Sequence, residues 1–472
     1  MSAKVPQTIA EAGAALRSGT MSAVELTTTM LNRINASNER LGAFVTVCDE
    51  TALVAASAAD AAFAAGIDHG PLQGIPLAIK DIIATKDAPT TANSRILDPA
   101  WGEGVDAPVT ARLRQAGAVL VGKSTTSEFA IGAPDPTKGF PIPRNPWDTQ
   151  RTPAGSSSGT GIAVAAGLAL GGLGTDTGGS VRGPASVNGH TGLKVTFGRV
   201  PKNGVAPLGY SLDSVGPMAR SAYDCALLLE VMAGYDPGDP CAAAAEVPAY
   251  STLLTGSAEG VRIGVPMPYF FDSDGLDDEV RTAVLAAVEL LKGNGAVVSN
   301  TVIPHAKEAK DATTLTMMAE AYAYHRNNMV ERWDTYGCFT RPQLARGVMY
   351  SSADFAQAQR FRFYFRREVA KAFGNFDVLV TPTSPVPAEK IDEIDMDRRL
   401  VTPSFTSQWN LTGLPALAVP CGFSSSGLPL SMQIIGKPFA EGTVLALADA
   451  YQRITGWHLE VPPMPVLELV SA

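Results

Sequence analysis

Residues 153–184 read PAGSSSGTGIAVAAGLALGGLGTDTGGSVRGP, and the rest of the chain is organised around them. Two serine-bearing glycine turns, Gly155-Ser156-Ser157-Ser158-Gly159 and Gly178-Gly179-Ser180, flank an apolar run. Glycine at this density loses chain entropy on folding, so it is retained where the backbone takes unusual dihedrals or lies close to a neighbour. Gly161 to Gly167 reads as a buried helix whose small residues permit such an approach. Both turns offer hydroxyls and main-chain N–H groups, the makings of an anion-stabilising nest around a reacting serine. A flexible glycine-serine linker would not alternate with a tight Ala/Val/Leu run.

Outward from this stretch the chain alternates strands and helices. Ile75 to Ile79 is a short apolar strand that delivers Lys80 at its end. Val109, Leu113 and Ala116 mark a helix ended by Gly117, and Ala118 to Val121 is the next strand. Thr8 to Glu11 and Ser22 to Glu25 fit capping boxes that start two helices, and Ala52 to Ala65 forms a third. From Lys138 to Pro153 a turn-rich loop leads into the first serine turn, and long loops in compact domains tend to be functional. Beyond Ser180, Gly192-Leu193-Lys194 and Ser211 to Pro217 read as turns between short strands. The pattern is α/β, with reactive groups expected where strands end.

The expected organisation is a single domain over residues 1–472. Residues 1–66 make an N-terminal helical arm, 67–234 the catalytic core, 235–375 a mainly helical substrate-side elaboration, and 376–472 a return to the core sheet. The middle segment opens with a Pro/Asp/Ala-rich connection at 236–249 and is dense in aromatic side chains between Tyr322 and Phe365. Further strands are expected at Val261 to Val265, Ala296 to Ile303, Asp377 to Pro382, Leu414 to Pro420 and Leu430 to Ile435.

Composition excludes several classes. With 46% hydrophobic and 18% charged residues the chain is globular rather than disordered. A formal charge of −9 offers no basic field for nucleic acid. The five cysteines lack metal-ligand spacing and suit reduced thiols of a cytoplasmic protein. No apolar run is long enough to cross a bilayer, and the first residues carry no hydrophobic leader core. The expected partner is a small-molecule substrate, with no direct nucleic acid and no membrane, for a monomer or homodimer. Neither cofactor nor metal is expected.

A serine nucleophile needs a base. Of the five histidines, His190 is nearest the core stretch, and in Val187 to Gly192 it reads as a packed, hydrogen-bonded structural residue. No nucleophile elbow paired with a late triad histidine is present. Lys80 is the other candidate. At the end of an apolar strand it can lose its proton if desolvated and set among hydroxyls rather than carboxylates.

At these residues the chain resembles the amidase signature hydrolases. The resemblance rests on Gly74 to Asp81, Gly155 to Gly159 and Gly174 to Arg182, and continues through Gly192-Leu193-Lys194, Ser211 to Pro217, Thr412 to Ala416 and Gln433 to Gly436. It implies the amidase signature fold, a large mixed central β-sheet covered by helices on both faces, and a Ser–cis-Ser–Lys triad. By resemblance Ser180 is the nucleophile, Ser156 the bridging serine after a cis peptide, and Lys80 the base. Main-chain N–H groups of Thr177, Gly178, Gly179 and Ser180 would form the oxyanion hole. Asp176 and Arg182 bracket that turn and are expected to fix its geometry by ion pairing. Where the family's first turn more often reads Gly-Gly-Ser-Ser-Gly-Gly, this chain has Ala154-Gly155-Ser156-Ser157-Ser158-Gly159, which removes none of the reactive groups.

Within the family the chain resembles stand-alone bacterial amidases and acyl-hydrazide hydrolases and, more distantly, the glutaminase subunit of tRNA-dependent amidotransferases. The loop Gly132 to Pro141 departs from the Ser/Thr/Glu/Asn-rich form expected of that subunit. Aromatic residues between Tyr322 and Phe365, with the Pro134 to Pro143 loop, are expected to frame an acyl pocket suited to an apolar group. The expected function is therefore amide hydrolysis of an aryl or alkyl carboxamide or acyl-hydrazide, releasing a carboxylic acid and ammonia, an amine or a hydrazine. The glutaminase subunit is the alternative, and a non-catalytic scaffold is the reading of another class.

Overall fold

Both expected capping boxes form. Thr8 and Ser22 accept from the N–H of Glu11 and Glu25, whose carboxylates reach back to the cap N–H groups and start helices Ile9–Arg17 and Ala23–Leu41. An alanine-rich helix, Asp49–Ala64, follows. The computed structural model describes residues 5–395 and 402–463 of the chain.

Eleven strands among the described residues make one mixed sheet: β1 Phe44–Val47, β2 Pro76–Lys80, β3 Val119–Ser124, β4 Gly171–Asp176, β5 Thr191–Lys194, β6 Ser214–Ala219, β7 Arg262–Pro266, β8 Val297–Thr301, β9 Val378–Pro382, β10 Ala416–Phe423 and β11 Pro429–Gly436. Their order is β1-β3-β2-β4-β6-β5-β10-β11-β9-β7-β8. β2 runs parallel to β3 and β4, where helical connections intervene, and β4, β6, β5, β10, β11 and β9 pair antiparallel in succession. Two stretches read as turns are strands instead. Gly192-Leu193-Lys194 lies in β5, and the second half of Ser211 to Pro217 begins β6. Their glycines and proline have weak strand propensity, which burial against neighbouring strands overrides. Residues 1–66 also supply β1, and 235–375 supply β7 and β8, so every part of the chain feeds the sheet.

Helices cover both faces. Successive strand residues point to opposite sides. A Cβ on Gly171 would lie 3.1 Å from Ile9 and Leu228, on helices Ile9–Arg17 and Ala222–Met232. One on Gly172 would meet Thr160, in helix Ser158–Ala165, at 2.8 Å. Gly174 faces the same helix, its absent Cβ 2.7 Å from Ser157 Oγ. The glycines of β4 thus let the helix behind the first serine turn settle directly on the sheet. The parallel register of β2 and β4, with Ile79 opposite Leu173, sets Lys80 beside the end of β4. No helix among the described residues is long and apolar enough to cross a membrane.

Candidate active site

Lys80 is the last residue of β2 and is fully buried. Its Nζ donates to Ser156 Oγ at 2.7 Å and to Thr175 Oγ1 at 2.8 Å. Burial pushes the ammonium pKa down to about 7, against an opposing pull from Asp176 and Asp213. Asp81, next in the chain, turns away to Lys123, whose Nζ lies 3.5 Å from its carboxylate. Lys80 is thus set among hydroxyls, and its proton is held weakly enough to be exchanged near neutrality.

The two serine turns are bound to each other. The Gly155–Ser156 peptide is cis. Ser157 N–H donates to Ser180 O at 3.2 Å, and Ser157 Oγ both donates to Thr175 O and accepts from Thr175 N–H at 3.2 Å. Ser158 Oγ closes the first turn on Ala154 O at 2.7 Å. These local bonds hold Ser157 and Ser158 in place, and Ser156, Ser158 and Ser180 all line one open cavity of about 470 Å³.

The Ser180 turn is held from beneath. Asp176 accepts from Gly179 N–H at 2.8 Å and Val181 N–H at 3.2 Å, and pairs with Arg182, also fully buried, at 2.9 Å. Burial alone would raise its pKa, but Arg182 and the hydrogen bond from Asn410 outweigh that and hold the carboxyl well below the usual range. Arg182 also donates to Thr406 O, Gln433 Oε1 and Asn410 Oδ1. Gly179 has φ +132°, and a side chain there would collide with Thr406. Of the four N–H groups expected to face an oxyanion, that of Gly179 is already engaged by Asp176. Those of Gly178 and Ser180 have no protein partner among the described residues.

Other candidates fall away from the cavity. His190 is buried with Nδ1 3.0 Å from Thr191 O, and desolvation lowers its pKa to about 4. It does not line the cavity. Of the aromatic residues between Tyr322 and Phe365, only Phe339 does so. His325 packs between Phe129, Tyr324 and Tyr336 instead, and Phe361 and Phe365 stack on each other. The expected aromatic wall is therefore corrected. Helical periodicity buries some of those rings, such as Tyr336 and Phe365, and leaves others, such as Phe363, in solvent, and the wall includes Ile131, Pro134, Met317, Met318 and Phe339, with Gln343 and Arg346 as polar members. From the Pro134 to Pro143 loop, Pro134, Ile142 and Pro143 contribute. Thr175 and Asp213 were not singled out by sequence reasoning, although both lie in its motifs. Thr175 takes the second hydrogen bond of Lys80, and Asp213 accepts from Thr177 Oγ1 at 2.6 Å. Arg346 sits in a helix whose sequence carries no catalytic pattern.

A family model described as Amidase matches residues 25–445. The chain belongs to the amidase family. Among its relatives, a glutamyl-tRNA(Gln) amidotransferase subunit of Chloroflexus aurantiacus is 42% identical, over 97% of this chain and 99% of that one. A solved vestigial protein complex bearing on the evolutionary origins of an s-triazine catabolic enzyme superposes with a TM-score of 0.88 at 32% identity, over 95% of this chain and 98% of the other. Native peptide amidase from Stenotrophomonas maltophilia superposes with a TM-score of 0.84 at 29% identity, over 97% and 98%. This amidase thus shares its architecture with proteins bearing different substrate names, so the reaction class is better defined than the acyl group.

Proposed function

We propose that this amidase cleaves a carboxamide C–N bond through a serine acyl-enzyme, with Ser180 as nucleophile, Ser156 as proton relay and Lys80 as base. The observation that carries it is the position of Lys80: fully buried, 2.7 Å from Ser156 Oγ, with a pKa near 7. Neutral Lys80 takes the proton of Ser156 as Ser156 takes that of Ser180, and Ser180 Oγ adds to the carbonyl carbon. Main-chain N–H groups of the Thr177 to Ser180 turn receive the oxyanion. As the tetrahedral adduct collapses, the leaving nitrogen takes the proton back through Ser156. Water then adds to the acyl carbon by the same relay, releasing the acid and restoring Ser180. Intact-mass analysis during turnover should show an acyl adduct that Ser180→Ala abolishes; an adduct mapping to Ser156 would reverse the roles.

For the acyl group, the relatives named as amidotransferase subunits favour glutamine, with ammonia as the product used by a partner polypeptide. Arg346 in the cavity supports this reading, since a guanidinium can meet the free carboxylate of such a substrate. The second reading is a stand-alone amidase for an aryl or alkyl carboxamide or acyl-hydrazide. It is favoured by the apolar side chains of Ile131, Met317, Met318 and Phe339 in the same cavity. Comparing kcat/KM for glutamine, benzamide, an aliphatic amide and an aryl hydrazide, with and without a tRNA-binding partner, separates the two.

A further inference from the structure

The part of the cavity wall that carries Phe339 is preceded by two peptide N–H groups, each held by a carboxylate. Glu128 Oε2 accepts from Gly337 N–H at 2.7 Å, and Asp135 Oδ2 accepts from Cys338 N–H at 2.8 Å. The next residue is Phe339, which lines the cavity while 39% of its surface stays exposed. Both carboxylates are themselves buried and tied down. Ser94 Oγ donates to Glu128 Oε1 at 2.5 Å, and Asp135 Oδ1 accepts from the N–H and hydroxyl of Thr137 at 2.9 and 2.7 Å. Gly132 completes the seam. With φ +76° it lies so close that an added Cβ would stand 3.1 Å from Phe339 O.

Chemically this is more than is needed to close a surface loop. Hydrogen bonds to ionised acceptors are shorter and stronger than neutral ones. Two on successive N–H groups fix the peptide units on both sides of Gly337, one residue short of the peptide bond into Phe339. Desolvation works against the charge on Asp135, but the Cys338 and Thr137 donors outweigh it and hold its pKa well below the usual carboxylate range. Phe339, which lines the cavity at the start of helix Thr340–Met349, is thus tied through its two preceding residues to Glu128 and Asp135.

We propose that Glu128 and Asp135 are positioning residues that clamp residues 337–338 and thereby make Phe339 the determinant of acyl-group size. The assignment rests on the cavity being the acyl site of the amidohydrolase reading. Releasing the clamp lets Phe339 swing and widens the wall. A pocket contact of this kind is worth about tenfold or more in kcat/KM between acyl groups that do and do not fill it.

The test compares kcat/KM for a short aliphatic amide with that for a bulky aryl amide in the full chain. Phe339→Ala and Asp135→Ala should both shift the ratio about tenfold toward the bulky amide. Asp135→Asn, which keeps an acceptor oxygen, should shift it less. Because Asp135 acts through Phe339, the double variant should show the ratio of Phe339→Ala alone. Equal losses on both amides in Asp135→Ala, or an additive double variant, would overturn the proposal. Amide hydrogen exchange at residues 337–340 reads the clamp without turnover. Protection should fall in Asp135→Ala and Glu128→Ala, and unchanged protection also overturns it. Amide turnover that survives in Ser180→Ala would instead fault the amidohydrolase reading and leave the exchange result standing.

Discussion

The main-chain N–H of Ser157 donates to the carbonyl oxygen of Ser180 at 3.2 Å, so the two serine turns are a single piece of structure. One strand behind them, β4, serves both. Thr175 near its end bonds to Ser157 and to Lys80, and Asp176 at its end grips the turn that carries Ser180. The proposed relay is therefore drawn from neighbouring elements. Its three side chains are set by β2, the first turn and the turn after β4.

A base with a pKa near 7 predicts a pH profile. As the proposed base Lys80 would act when neutral, so kcat/KM should rise with pH through an acid limb centred near 7 and level off above it. An ordinary exposed lysine would place that limb near ~10.4. Residual activity of Lys80→Ala should lack the limb. A limb that persists there belongs to another group.

The same burial has a stability consequence. The folded state holds Lys80 neutral from about 7 upward, whereas the unfolded chain keeps it protonated to ~10.4. Between those values the unfolded state binds more protons, so stability rises with pH. Below 7 the folded protein carries the full cost of a buried ammonium. Lys80→Met should then be inactive yet more stable than the parent, by on the order of 2 kcal/mol at pH 6.5 after the lost hydrogen bonds are counted. The gain should shrink toward pH 10. Urea unfolding at several pH values measures it, and a gain that does not vary with pH would refute the linkage.

Much of the site was legible because its chemistry is local. Gly74 to Asp81 and Gly174 to Arg182 name a strand-end lysine and a serine-bearing glycine turn without reference to the rest of the chain. What stayed hidden depends on packing. β4 reads GGLGTD, a poor strand by propensity, and only the approach of Ser157 and Thr160 to Gly174 and Gly172 explains it. The cavity wall failed for a similar reason. An aromatic on a helix is equally suited to face a neighbouring helix or a substrate, and among Tyr322 to Phe365 only Phe339 faces the cavity. Arg182 finds Asn410 and Gln433 far along the chain, on a helix and a strand that no local pattern connects to it.

Asp176 and Arg182 form the buried pair under the Ser180 turn, and removing one member strands the other. Asp176→Ala leaves a guanidinium at 0% exposure with neutral acceptors only, which should cost about 3–5 kcal/mol. It also frees the N–H groups of Gly179 and Val181, so kcat should fall beyond what the folded fraction explains. Chemical denaturation gives the first quantity and active-site titration the second. If Asp176→Ala unfolds at the parental urea midpoint, the pair does not hold the turn.

Arg346 decides between the two substrate readings in a way that whole-enzyme rates alone do not. It lies in the cavity wall, and a donation to Gln343 Oε1 at 2.7 Å is one of its interactions. A substrate with a free carboxylate would meet a charge-assisted hydrogen bond there, and such bonds contribute about 1.5–3 kcal/mol. An apolar amide would gain only contact with the side-chain stem. Arg346→Met should therefore raise KM for glutamine by roughly 10–100-fold, the factor that free energy corresponds to. It should change KM for butyramide far less, and kcat for glutamine should fall less than KM rises, because the bond is made equally in ground and transition states. Equal losses on glutamine and butyramide would remove Arg346 from substrate recognition, and with it the structural support for the glutaminase reading.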